Sequence, residues 1–172
     1  MTRDEVFATP RLAGQVQRYH TWSMHRQQSV GEHTWQTMRI YWQIWGPLPP
    51  DVCTHLIWHD AGELVLGDLP FPVKKNNPRL KHECDVIERQ ALVKMIGGNI
   101  EDLIILSEEE KHRVKICDLI DMLEMGQTEF KMGNQYALPI INDVRSELGK
   151  CLVNFSHTER EKIMYYVERF AS

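Results

Sequence analysis

Three short stretches hold the residues best suited to chemistry. Asp118 lies in Val114-Lys115-Ile116-Cys117-Asp118-Leu119-Ile120-Asp121-Met122-Leu123, the most apolar helical run of the chain. Burial without a partner costs about 2–7 kcal/mol even for a neutral polar group. Asp118 therefore needs a cation, a hydrogen-bond network or exposure. His59 and Asp60 sit in Leu56-Ile57-Trp58-His59-Asp60-Ala61-Gly62-Glu63-Leu64, read here as mid-helix. Helical positions three and four apart share a face, so Glu63 falls one turn beyond both. One face then carries an imidazole and two carboxylates. His33 stands in the first turn of the preceding helix; alone, such a histidine is a core or surface residue. Together, His33, His59, Asp60 and Asp118 make a mixed nitrogen–oxygen donor set on three helices. It suits Mn, Fe, Co, Ni, Zn or Mg without a sharp choice among them. Such a set leaves open positions on an octahedral ion for water and a substrate oxygen. Water acidified by a metal is a nucleophile near neutral pH.

The elements that must position these residues are helical. Ser29-Val30-Gly31-Glu32 reads as a capping box, followed by Val30, Thr34, Met38, Tyr41 and Trp45 on one face. Gly46-Pro47-Leu48-Pro49-Pro50 stops that helix. A second follows Pro50, with Val52, Leu56, Ile57, Ala61 and Leu64 turned inward. The prolines between Gly67 and Pro78 predict a loop. A third helix is expected from about 79 to Ile96, closed by Gly97-Gly98. Ser107-Glu108-Glu109-Glu110 caps a helix read through Met125 and ended by Gly126. Its apolar residues lie nearly all round, which marks it as central. Two more are expected at about 136–153 and about 158–170, the last with Thr158 and Glu161 at its start. The tryptophans are assigned to the core. The sum is a single all-α domain over residues 1–172, a helical bundle of six or seven helices.

Composition narrows the classes. The chain has 172 residues, of which 42% are apolar and 26% charged, with a net charge of −4. That is an ordinary globule with no basic excess for coating nucleic acid. No apolar run is long enough for a membrane span, and the polar start lacks a secretory core. Cys53, Cys84, Cys117 and Cys151 are too far apart for a CxxC zinc pair or a compact disulfide scaffold. The reading is a reduced, cytoplasmic protein.

The order His33, His59-Asp60, Asp118 resembles the H…HD…D pattern of the all-helical HD-domain phosphohydrolases. The segment from His59 through Gly67-Asp68-Leu69-Pro70-Phe71-Pro72-Val73-Lys74 is more specific. It looks like the HDxxExxxGDxPxPxK stretch of the nucleotide-cleaving branch, which includes bacterial 5′-deoxynucleotidases and phage dATP triphosphohydrolases. Ser29 to Thr34 resembles that branch's first-histidine segment, and Arg18-Tyr19 its upstream Arg-aromatic pair. The likeness covers about residues 10 to 130.

The resemblance implies His33, His59, Asp60 and Asp118 as ligands of one divalent cation (Co, Mn, Zn or Mg). It implies Glu63 as the residue that orients or deprotonates water, with Asp68 assisting as a proton-handling carboxylate. Arg18 would meet phosphate or sugar, and Lys74 a phosphate. Where the branch usually carries tryptophan this chain has Tyr19, with Trp22 three residues on, so either could stack on the nucleoside. Thr21 and Pro72 would border the base. Arg18, His20, His25, Arg26, Lys74 and Lys81 could supply a local positive field against the overall negative charge, while Lys75, Arg79 and His82 are read as ordinary solvated loop charges.

The resulting expectation is a metal-dependent phosphohydrolase of 2′-deoxynucleotides. The short length favours a dATP triphosphohydrolase, giving deoxyadenosine and triphosphate. The alternative is a 5′-deoxynucleotidase acting on deoxynucleoside monophosphates. A non-catalytic nucleotide or metal sensor would not need Glu63. Homo-oligomers are expected by analogy, with the aromatic 35–45 helix as an interface. No nucleic-acid or membrane partner is expected.

Overall fold

The computed structural model describes residues 9–97, 104 and 106–171, and of Phe71, Pro72 and Lys75 the backbone alone. Its order is α1 (Pro10–Ala13), β1 (Gln17–Arg18), β2 (Gln28–Ser29), α2 (Val30–Trp45), α3 (Pro50–Trp58), a 3₁₀ turn (Ala61–Leu64), α4 (Phe71–Asn76) and α5 (Pro78–Ile96). There follow α6 (Glu108–Lys131), a 3₁₀ turn (Gln135–Ala137), α7 (Leu138–Cys151), a 3₁₀ turn (Leu152–Asn154) and α8 (His157–Phe170). The fold is all-helical, as expected. Among the described residues a two-residue antiparallel ladder is added, pairing Gln17 with Ser29 and Arg18 with Gln28. Among the described residues no helix is long and apolar enough to cross a membrane.

The contacts divide the chain into two compact units. The first holds Met1–Trp22, Gln27–Thr34 and Thr54–Ile105; the second holds Ser23–Arg26, Trp35–Cys53 and Leu106–Ser172. In the first, Ala13, Ala61 and Leu92 form a small buried cluster, with Trp58, Leu64, Met95 and Ile96 packed on it. Gly62 lets α5 come close: a Cβ there would lie 2.4 Å from the carbonyl oxygen of Glu88. α5 ends at Gly97, whose φ of 73° is the left-handed stop that glycine supplies without strain.

In the second unit α6 is central, with Ile116, Cys117, Ile120 and Leu123 fully buried. It starts on the expected box, Ser107 accepting from the Glu110 N–H while Glu110 reaches back. Arg39 on α2 bonds Glu124 on α6 and, at 2.6 Å, the Tyr166 hydroxyl on α8. Tyr166 in turn donates to Glu124 at 2.7 Å. Arg113 ties the start of α6 to Glu159 on α8 at 2.9 Å.

Several expectations are corrected. α3 ends at Trp58, so His59 and Asp60 occupy a turn and not a helix middle; the Glu63 N–H closes onto the Asp60 carbonyl, tightening the chain into a 3₁₀ turn. Ile57, expected to face inward, is exposed. The 67–78 segment contains α4, because Phe71-Pro72 sits at the first helical positions, where a missing N–H costs nothing. Gly126 does not end α6. It lies inside it, where a Cβ would meet Ile141 of α7 at 3.0 Å. Ser156 with Glu159, not Thr158 with Glu161, caps α8. Trp35 and Trp42 are exposed at 61% and 57%, because the buried stripe of α2 runs Val30, His33, Thr37, Ile40, Ile44.

Candidate functional site

The first unit brings three of the expected ligands together. Ser29 caps α2 by accepting the Glu32 N–H at 3.1 Å, and this sets the first turn that carries His33. His33 is buried, 1% exposed. Its Nε2 lies 3.4 Å from Asp60 Oδ2, and His59 Nε2 lies 3.4 Å from the same oxygen. One donor atom from each of His33, His59 and Asp60 falls within 4.8 Å of the others.

The ring of His59 has a defined tautomer. Its Nδ1 stands 2.9 Å from the Leu56 carbonyl, which can only accept, so Nδ1 carries the proton. In the neutral ring the Nε2 lone pair is then left facing Asp60. A ring nitrogen held to a backbone carbonyl while the other offers its lone pair is the usual arrangement of a ligating histidine. The two 3.4 Å separations also match bonds of about 2.1 Å at a tetrahedral angle. These residues fit a divalent cation. Burial alone would raise the Asp60 carboxyl, but the fields of His59, then His33, Arg18 and Lys74, hold it below the ordinary range. An ionised carboxylate between two imidazoles is the form a metal needs.

Glu63 follows on the 3₁₀ turn, 6% exposed. Burial first, then the charges of Asp60 and Asp68, push its carboxyl up to about 8, against the pull of Lys74 and Arg18. A group so placed exchanges a proton near neutral pH. Lys74 on α4 stands 3.6 Å from Glu63 Oε1 and 3.4 Å from Glu88 Oε1 on α5. The expected phosphate-binding lysine is thus shared between two carboxylates. Burial works against its charge, while Glu88 and Glu63 raise it above the usual lysine value.

Asp68 accepts the Tyr19 N–H at 3.3 Å. Tyr19 has φ of 57°, a costly conformation for a non-glycine residue. Asp68 therefore holds a strained turn as well as adding charge near Glu63. Arg18 lies over the Tyr19 ring at 5.6 Å, and Trp22 is tied to Tyr19 by an N–H to carbonyl bond of 2.9 Å. Thr21 is exposed on the same turn. The side chain of Pro72 lies outside the described residues. Asp118 is half-buried on α6 and belongs to the second unit. His59 also borders a cleft of about 340 Å³, lined in part by His55, Gly62, Glu88 and Leu92.

Sequence reasoning missed Glu88, although its backbone contact with Gly62 fixes it beside the site. It also missed Glu129 and Asn134, buried at 0% and 4%, because α6 was expected to end before them.

An all-helical chain that joins a buried His33 to His59-Asp60, with Glu63 one turn on, has the form of an HD domain. Residues 7–172 match the family described as 5′-deoxynucleotidase YfbR-like. The chain belongs to that family. A 5′-deoxynucleotidase of Yersinia pestis (strain Pestoides F) is 35% identical over 91 residues, covering 43% of this chain and 46% of the relative. One from Yersinia pseudotuberculosis serotype I (strain IP32953) matches to the same extent. The aligned stretch is thus less than half the length of these relatives. Among solved structures, the cyanophage S-2L HD phosphohydrolase, bound to dA and one catalytic Zn2+ ion, superposes with a TM-score of 0.74. It covers 93% of both chains at 20% identity, a likeness of fold.

Proposed function

We propose that this chain is a metal-dependent 5′-deoxynucleotidase, which hydrolyses deoxynucleoside 5′-monophosphates to deoxynucleoside and orthophosphate. The observation that carries the reading is the convergence of His33, His59 and Asp60 beside a buried Glu63 whose carboxyl titrates near neutrality. The match to the family over residues 7–172 and the names of the Yersinia relatives support the monophosphate substrate. They favour it over the dATP triphosphohydrolase that the short length had suggested.

His33, His59 and Asp60 would hold the ion, with Asp118 as the fourth ligand on the strength of the sequence pattern. A divalent ion there would supply Lewis acidity toward the phosphoryl group and acidify water. Zinc is one candidate, since the S-2L relative holds a catalytic Zn2+; Co, Mn and Mg are the others. Glu63 takes a proton from the attacking water, a role supported by its burial on the 3₁₀ turn next to Asp60. Lys74 leaves Glu88 or Glu63 to meet the phosphate. Arg18 meets phosphate or sugar, Tyr19 or Trp22 stacks on the nucleoside, and Thr21 and Pro72 border the base. Asp68 keeps the Tyr19 turn in place and can pass a proton toward the departing 5′-oxygen.

The test is a screen of deoxy- and ribonucleotides at mono- and triphosphate level with Mn, Co, Mg and Zn, products identified by mass. Deoxynucleoside with orthophosphate from monophosphates supports the proposal. Deoxyadenosine with intact triphosphate from dATP, and no turnover of monophosphates, would restore the triphosphohydrolase reading. Sizing the same preparation checks the expected homo-oligomer.

A further inference from the structure

Residues 19–27 form a loop closed at its base by the pairing of β1 with β2. It opens on the Tyr19 turn, next to Arg18 at the end of β1, already assigned to substrate. Its tip, Ser23 to Arg26, is held by an arrangement that the proposed chemistry does not use. The backbone N–H groups of His25 and Arg26 donate to the two oxygens of Glu129, at 2.7 and 2.8 Å. Asn134 Nδ2 donates to Glu129 at 2.7 Å and to the Ser23 carbonyl at 2.7 Å. Asn134 Oδ1 accepts the Tyr136 N–H at 3.1 Å, which fixes the amide's orientation.

Glu129 is completely buried. A carboxylate in such a place is tolerated when donors surround it, and short N–H bonds to a charged oxygen are the strong kind. Burial would raise its pKa, but the bonds from Asn134, His25 and Arg26 outweigh burial and lower it, so it stays ionised. Nothing in the proposed reaction needs a charge there. The carboxylate serves the loop: two successive main-chain N–H groups are turned inward, while the side chains of His25 and Arg26 are exposed, the His25 Nδ1 standing 3.9 Å from Glu129 Oε2.

We infer that Glu129 and Asn134 are positioning residues for substrate binding. They clamp the tip of the 19–27 loop, and through chain continuity alone restrict the residues that lead into it, Tyr19 to Trp22. The inference rests on the assignment of the Tyr19 turn to the deoxynucleotide. An amide at position 129 turns one acceptor oxygen into a donor, facing either Arg26 or the His25–Asn134 pair. Glu129→Gln thus breaks the clamp while leaving the proposed ligands and Glu63 unaltered.

The experiment has two readouts on the intact chain. Amide hydrogen exchange of the wild type without nucleotide should show His25 and Arg26 strongly protected, although they lie in a loop; fast exchange at both would overturn the clamp. Steady-state kinetics on the best deoxynucleoside monophosphate should show KM raised about tenfold or more in Glu129→Gln, with kcat within about threefold and metal content unchanged. A loss of stability alone would not split KM from kcat in this way. Should Glu129→Gln fail to fold, Asn134→Ala, which removes the bond to Ser23, decides by the same criterion. A wild-type enzyme that turns over monophosphates, with KM unchanged in the folded variant, overturns this inference and leaves the proposed function standing. A wild type inactive on every nucleotide overturns both.

Discussion

Gly62 and Glu88 meet backbone to backbone. A Cβ on Gly62 would lie 2.4 Å from the Glu88 carbonyl oxygen and 2.7 Å from its carbonyl carbon. This approach sets the distance between α5 and the 3₁₀ turn that carries Glu63. It also brings the Glu88 side chain within reach of Lys74, which bridges to Glu63. Main-chain atoms cannot move aside as a side-chain end can. Gly62→Ala should therefore cost about 1–3 kcal/mol, as overpacking does. It should also lower kcat, since the turn bearing Glu63 must shift. Thermal melts and kinetics of that variant check this; wild-type stability would show that α5 can slide.

The metal assignment predicts a graded loss. Asp60 faces both imidazoles and is the charged member of the set. Asp60→Asn should lose bound metal and turnover together. His59→Ala should do the same, and the unaltered Leu56 carbonyl would be left without its donor. Asp118→Asn tests whether the helix α6 carboxylate completes the set: a ligand there gives weaker metal binding. Metal analysis of each purified variant decides, and metal content equal to wild type in Asp60→Asn would overturn the site.

The helical frame was legible where local signals agreed. Ser107 and Glu110 sit at capping-box spacing ahead of an apolar run, and the box forms as read. Gly97 stops α5 for a local reason, its positive φ. Some misreadings arise where a residue answers to a distant neighbour, others where a breaker sits at a helix start. Gly126 looks like a stop, yet its missing side chain accommodates Ile141. Pro72 looks like a loop residue, yet it belongs to a helix start. The pairing of His59 with Asp60 was readable from the motif, and His33 was brought to it by the Ser29 cap. What no local pattern announces is Glu129, whose two main-chain donors, His25 and Arg26, lie more than 100 positions away. Ser29 and Ser107 were both read as caps because a cap bonds within three residues of itself.

Lys74 stands between Glu63 and Glu88, and the reading requires it to turn to phosphate when substrate arrives. Lys74→Ala should raise KM for the monophosphate by about tenfold or more, the loss of one charged contact. The same substitution removes a field that lowers the Glu63 carboxyl, so the pH at which Glu63 ionises should move up. Kinetics across pH show both effects, and an unchanged KM would remove Lys74 from the phosphate site.

The buried Glu63 makes the stability of the metal-free protein depend on pH in an uncommon direction. In the folded chain its carboxyl titrates at about 8, against 4.5 for an ordinary glutamate. Between those values the folded state binds more protons than the unfolded state. Stability therefore falls as pH rises through that window, the opposite of a salt-bridged carboxylate. The contribution is complete below the ordinary glutamate value and lost once pH passes the folded one. Glu63→Gln keeps a neutral group of the same shape at every pH, so its stability should not fall there. The difference between the two proteins should be on the order of a few kcal/mol across the window. The same variant, loaded with metal, should keep its ion while kcat drops by about 10²–10⁴, as loss of a general base does. Urea titrations of chelator-treated wild type and Glu63→Gln at several pH values measure the first effect. Parallel profiles would mean that Glu63 ionises in the ordinary range and carries no proton at neutral pH.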